Sequence, residues 1–147
     1  MKKLIRLIPL LAVVGLLLFW PSHGWTKVAA YSRGNLNVSV YAMQVGGTIS
    51  HKVVLTWNAG TPDATHVAAT GFNVKRGATA GSEATIGTTV APTTTYTDTN
   101  VSGGDKWFYV VTGTGNNLPE SAPSNEVSVQ VPLDQVAAPT GLAGASQ

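Results

Sequence analysis

Cysteine is absent from this chain of 147 residues, and charged residues make up only 11% of it. Without cysteine there is no disulfide framework, no thiolate zinc site and no cysteine nucleophile. The charged fraction is below half of the usual ~25% of soluble domains, which excludes a charge-rich disordered chain and a coiled coil. The length suffices for one ordinary domain. The fold therefore has to be stable without disulfides.

A clustered basic surface is also missing from the sequence. Three of the nine basic residues are Lys2, Lys3 and Arg6, so the chain from Trp25 onward has six basic against seven acidic residues, a net charge of −1. Nucleic-acid binding requires a clustered basic footprint. Because the remaining basic residues are scattered along the sequence, no nucleic-acid partner is predicted.

The first 24 residues have the layout of a secretory signal. A basic start precedes an apolar run over residues 7–20, and residues 21–24 end any helix. This pattern predicts a signal helix with cleavage before Trp25 or before Tyr31. The alternative is an uncleaved anchor, although its apolar run is slightly short against the ~20 residues that span a bilayer. Both alternatives place the remaining chain outside the cytoplasm, and the leader is its only predicted membrane contact.

Short alternating apolar runs, separated by clusters of Gly, Pro, Asn, Asp and Thr, fill the chain after residue 34. Their spacing of roughly 8–12 residues is typical of β-sandwiches. We predict an all-β fold, a seven-stranded antiparallel immunoglobulin-like β-sandwich, preceded by the signal helix. The predicted core consists of Val53, Leu55, Trp57, Phe72, Val74, Ile86, Tyr96, Val101, Trp107, Tyr109, Val111, Val127 and Val129.

Residues 49–132 resemble a fibronectin type III module of bacterial exported proteins. The similar segments follow one another in the family's order and at its spacing: residues 53–57, 71–77, 95–98, 106–112 and 120–129. The resemblance implies a sandwich without disulfides and with a structural or binding role. Two features depart from the family: Trp107 stands where a tyrosine usually ties a corner between two strands, and residues 30–48 lack the usual Pro-rich first strand.

This interpretation divides the chain into four segments: the signal peptide or anchor (1–24), an N-terminal segment with the first strand (25–48), the sandwich (49–132) and a tail (133–147). Residues 138–142 look like the opening of another such module. The tail is therefore either a linker with the start of a truncated next module or a flexible arm.

No catalytic, cofactor-binding or metal site is predicted. His51 and His66 lie in different segments without a third ligand, and we expect both to be solvent-exposed. Most of the seven carboxylates fall at predicted turns, and the Gly-x-Ser-x-Gly nucleophile motif is absent. The sequence therefore predicts a protein that is not an enzyme and needs no cofactor.

Two classes of function remain open. The first is a structural or spacer module of an exported protein, either secreted or at the cell surface. The second is an adhesion module that binds surface polysaccharide or a protein partner through the loops at residues 58–70 and 113–121. Fold analogy does not choose between them. Self-association through exposed edge strands is a further expectation.

Exposed aromatic side chains near these loops would favour the binding module, because sugar rings stack on flat aromatic rings. Four aromatic residues are candidates for exposure, and the alternative is that they only cover strand edges, since single exposed apolar residues are normal. These residues are Trp25, Tyr31, Tyr41 and Phe108.

Overall fold

The computed structural model describes residues 24–140. These residues form eight strands and no helix: β1 (Thr26–Arg33), β2 (Leu36–Val45), β3 (Thr48–Trp57), β4 (Gly71–Gly77), β5 (Ala84–Val90), β6 (Thr95–Asp98), β7 (Lys106–Thr114) and β8 (Val127–Gln130). The predicted signal helix lies outside the described residues. Within the described range, no helix is long and apolar enough to cross a membrane.

Two four-stranded antiparallel sheets make up the described part of the chain. Sheet A has the strand order β1-β2-β3-β6, and sheet B has the order β5-β4-β7-β8. The predicted all-β sandwich is confirmed, but the predicted count of seven strands is wrong. The additional strand is β1, which pairs with β2 at the edge of sheet A. Its sequence shows no regular apolar face because most of its side chains are exposed, so periodicity gave no signal.

The hairpin between β2 and β3 is the longest pairing of sheet A and includes ten residue pairs. Its turn consists of Gly46 and Gly47, with φ values of 56° and 83°. Two-residue hairpin loops favour glycine because both positions require a positive φ, which matches the twist of the strands. This turn sets the register that points Val38, Val40 and Val53 into the core.

The core lies between the two sheets and contains ten of the thirteen predicted residues. Ile86, Tyr96 and Trp107 are only partly buried and pack against its margin, so their predicted burial is wrong. The prediction also omitted four fully enclosed residues: Leu36, Val38 and Val40 of β2, and Val131, which follows β8.

Three polar side chains link the two sheets inside the core. Asp98 Oδ2 of β6 accepts hydrogen bonds from Arg76 Nη1 of β4 at 2.7 Å and from the Tyr109 hydroxyl of β7 at 2.9 Å. Burial and the neighbouring Asp98 carboxylate raise the pKa of Tyr109 well above its usual value. The phenol therefore stays protonated and remains a hydrogen-bond donor to Asp98.

The corner before β7 is tied through an indole. Trp107 Nε1 donates to Asp105 Oδ2 at 3.1 Å, and the same oxygen accepts the Ser102 backbone N–H at 2.7 Å. The Arg76 guanidinium lies 4.0 Å from the centroid of the Trp107 ring. Because an indole donates but does not accept a hydrogen bond, a carboxylate supplies the acceptor at this corner.

The sandwich has two distinct ends. We call the end with Asn35, Trp57 and Gly113 the loop end, since loops from both sheets meet there. The opposite end is the terminal end: Thr26 pairs with Ala42, which pairs with His51, and His51 Nε2 lies 3.2 Å from Asp134 Oδ1. The described chain therefore enters and leaves the sandwich at the same end.

Candidate functional site

A cleft opens at the loop end between the two loops that the sequence analysis singled out. Its volume is about 290 Å³, and an adjoining depression of about 580 Å³ extends it along the second loop. Apolar side chains from both loops and from the adjoining strands form most of the lining, together with serines of the β7–β8 connection: Trp57, Val67, Ala69, Phe72, Ser121, Ala122 and Ser124. The fold thus brings residues 58–70 and 113–121 together in one concave surface.

The second wall of the cleft is fixed to β7 by backbone hydrogen bonds. Ser121 N–H donates to the Gly113 carbonyl at 2.9 Å, and Gly113 N–H donates to Ser121 Oγ at 2.8 Å. Further along, Ser124 N–H donates to the Val111 carbonyl at 2.8 Å. A loop whose polar groups are satisfied in this way presents a preformed surface.

Glu120 fixes the same loop to the outer face of sheet B, where Thr112 lies beneath it. Its carboxylate accepts hydrogen bonds from Lys75, Asn73 and Thr112, the last at 3.0 Å. These donors, the Lys75 ammonium first, lower the pKa of Glu120. Glu120 is therefore charged at neutral pH and positions the loop.

The first wall of the cleft contains a tight turn around Asp63. Asp63 Oδ1 accepts hydrogen bonds from the Thr65 backbone N–H at 2.7 Å and from the His66 backbone N–H at 2.9 Å. The His66 ring also reaches this carboxylate, with Nδ1 2.9 Å from Oδ1. In the neutral imidazole, an Asp63 carboxylate at this distance favours the tautomer with the proton on Nδ1, in which Nε2 is an acceptor on a residue that lines the cleft.

We expect Asp63 to titrate well below an ordinary aspartate. The Thr65 backbone N–H, followed by the other donors, lowers its pKa from 3.8 to about 2. Because the pKa in the folded turn lies below the unfolded value, the turn is stabilised above pH 3.8 and loses this contribution as the pH falls through about 2. An NMR titration of the Asp63 carboxyl and the Thr65 amide measures the midpoint.

The Asp63→Asn variant is the control for this titration, since it keeps the shape of the side chain and removes the ionisation. Its Thr65 amide should show no step in the acidic range. A midpoint near 3.8 in the unaltered protein would show that the turn does not form as described.

Trp57 lies at the base of the cleft, and its indole nitrogen is unusual. The side chain is 5% exposed, and Nε1 has no hydrogen-bond partner among residues 24–140. The ring packs edge-on against Phe72, with centroids 5.5 Å apart. Buried donors in native proteins are normally hydrogen-bonded, so the Trp57 Nε1–H is an exception: a donor at the base of the cleft without an acceptor among the described residues.

The two histidines considered in the sequence analysis lie in different environments. His66 is exposed as expected, whereas His51 is buried on the inner face of β3, so its predicted exposure is wrong. Alternation explains this, because His51 shares the parity of Val53 and Leu55. No group of three or more His, Cys, Asp or Glu side chains within residues 24–140 is placed to hold a metal ion.

The four aromatic candidates do not line the cleft. Tyr31 is half-buried and donates its hydroxyl to the Gln130 carbonyl at 2.7 Å, which joins β1 to β8. Phe108 is half-buried in sheet B. Trp25 and Tyr41 share one lysine neighbour, Lys52, and so belong to a single surface of sheet A.

The described fold was compared with solved structures and with known families. The chain is similar to an Fn3-like protein from Clostridium thermocellum whose crystal structure is known, with 29% sequence identity and a TM-score of 0.45. The match covers 76% of this chain and 100% of that one. No family model matches the chain, and no curated protein matches it.

Proposed function

We propose that this chain is a non-catalytic, fibronectin type III-like interaction module of an exported bacterial protein, which binds a cell-surface partner through the loop-end cleft. Strands β2–β8 support the family assignment, because they supply the seven strands that the resemblance implies, with β1 added at one edge. The leader pattern of residues 1–24 supports export.

The observation that carries the binding role is the cleft itself. Two loops distant in sequence form one concave, largely apolar surface, and hydrogen bonds to Gly113 and Val111 hold one of its walls in place. Concave apolar surfaces with a few fixed polar groups are the usual form of binding sites. His66 Nε2 and the Ser121 hydroxyl are polar groups of this kind.

A spacer in a tandem array is the second candidate, and the position of the chain ends disfavours it here. A module that separates its neighbours along a line needs its two ends at opposite ends of the sandwich. In this chain β1 brings the entry point to the same end as Asp134. The cleft therefore faces away from both attachment points, as an interaction module requires.

The proposal is tested by retention of the purified full chain on cell-wall and surface-protein fractions of the producing organism. The fractions are delipidated, so that the apolar leader has no bilayer to enter. We expect saturable retention on one fraction. Val67→Glu should weaken it about tenfold, because a charge in an apolar contact is costly to desolvate.

Val90→Glu is the matched control for this experiment. Both valines are highly exposed, at 68% for Val67 and 76% for Val90, but Val90 lies on the edge strand β5 and does not line the cleft. The control should bind like the unaltered chain. Equal loss in both variants, or no saturable retention on any fraction, would contradict a binding role of the cleft.

A further inference from the structure

Carboxylates are unevenly distributed in this chain. All seven acidic residues lie at or after Asp63, so β1, β2 and β3 contain Lys27, Arg33 and Lys52 but no carboxylate. The single acidic residue of sheet A, Asp98 in β6, is buried and paired with Arg76. Within residues 24–140, no carboxylate lies within ion-pair distance of either lysine. The outer surface of sheet A therefore carries uncompensated positive charge.

Register places these lysines around aromatic rings. Lys27 on β1 pairs with Tyr41 on β2, and Tyr41 pairs with Lys52 on β3, so the three side chains form a row across the sheet. Lys52 Nζ lies 4.3 Å from the ring centroid of Trp25 and 5.5 Å from that of Tyr41. Lys27 Nζ lies 5.9 Å from the Tyr41 centroid. We call these four residues the aromatic–lysine face.

Cation–π contacts position the ammonium groups without removing their charge. A lysine held in this way loses less side-chain freedom when it meets an anion, and its N–H donors remain available. Trp25 keeps 37% of its surface exposed beside them. The face thus combines two positioned cations with an accessible flat ring.

We infer that the aromatic–lysine face binds an acidic polysaccharide, with its ammonium groups pairing with sugar carboxylates and Trp25 stacking on a pyranose ring. The backbone positions of Lys27 and Lys52 are two strand spacings apart, about 9–10 Å, and both ammonium groups lie beside the same ring, so one polymer chain crossing the strands meets both. The choice of polysaccharide over nucleic acid rests on export, which is part of the proposed function. The face is separate from the cleft, because Tyr41 lies about 17 Å along β2 from Leu36 at the loop end.

The test measures binding of the full chain to polygalacturonate, with neutral amylose as the uncharged polymer. We expect Lys27→Gln and Lys52→Gln each to raise the dissociation constant about tenfold, the effect of losing one charge-assisted hydrogen bond. Lys106→Gln is the matched control: it removes the same charge from an exposed lysine that lies 5.3 Å from an aromatic ring, that of Phe108, on sheet B. This control should stay within about twofold.

Further variants separate this inference from its alternatives and from the cleft proposal. Trp25→Ala should weaken polygalacturonate binding, whereas Val67→Glu should leave it unchanged. An equal loss of affinity for polygalacturonate in Lys52→Gln and Lys106→Gln would show that binding depends only on the net charge of the protein, which would overturn the inference. Binding of duplex DNA or anionic lipid vesicles as tight as that of polygalacturonate, or no binding of polygalacturonate, would overturn it as well. Loss of binding in Val67→Glu alone would assign the polymer to the cleft.

Discussion

Replacing Asp98 by alanine is expected to lower the free energy of unfolding by about 3–5 kcal/mol. The change removes the acceptor shared by the Arg76 guanidinium and the Tyr109 hydroxyl. The Tyr109 hydroxyl is then left without an acceptor, and the Arg76 guanidinium, which still donates to the Asn100 carbonyl, is left without a counter-charge in the interior; both are costly. Urea denaturation followed by tryptophan fluorescence measures the loss. A loss below about 1 kcal/mol would show that the inter-sheet link contributes little.

A double-mutant cycle distinguishes the interaction energy of the Arg76–Asp98 ion pair from the cost of leaving one buried charge without its partner. Arg76→Met and Asp98→Leu each break the pair, and the double variant replaces it with apolar groups. Because apolar replacement of a whole buried pair is often close to neutral, we expect the double variant to lose less stability than the two single variants together. Strict additivity would indicate that the two side chains do not interact.

Trp57→Ala is the second change with a large expected effect, a loss of about 3–5 kcal/mol. The ring is 5% exposed and packs on Phe72, so its removal leaves a cavity at the base of the cleft. Because Nε1 has no hydrogen-bond partner within the described residues, the expected loss of stability comes from lost packing contacts. Thermal and urea unfolding measure it on the same scale as the Asp98 variant.

Trp25→Ala provides the control for this large-to-small change. Trp25 is 37% exposed and lies outside the core, so its removal should alter stability by no more than about 0.5 kcal/mol. Trp57→Phe should fall between the two alanine variants, since it retains an aromatic ring against Phe72. A loss below about 1 kcal/mol for Trp57→Ala would exclude Trp57 from the core and contradict the register of β3.

The central strands could be predicted from the sequence because one of their faces is buried. Val53, Leu55 and Trp57 alternate with more exposed residues, and the same parity applied to His51 would have indicated its burial. β1 could not be predicted in this way, since it lies at a sheet edge and few of its side chains reach the core. Its place depends on pairing with β2, which is a property of the folded chain.

The candidate site was predictable only in part. Loop composition indicated residues 58–70 and 113–121, but their meeting depends on strand order in both sheets. The aromatic–lysine face required the register of β1, which shifts between Lys27 and Ala29. Because a slip of one residue moves a side chain to the other face of a sheet, sequence alone did not place Lys27 beside Tyr41.

The shared end for chain entry and exit has a mechanical consequence. A force that pulls Trp25 away from Asp134 acts at the ends of β1 and β8 that lie nearest the terminal end. It would therefore open the hydrogen bonds of these strands one after another, like a zipper, instead of loading them all at once. A load applied between a ligand in the cleft and this end would instead run along the strands, so resistance to tension would depend on where the module is held.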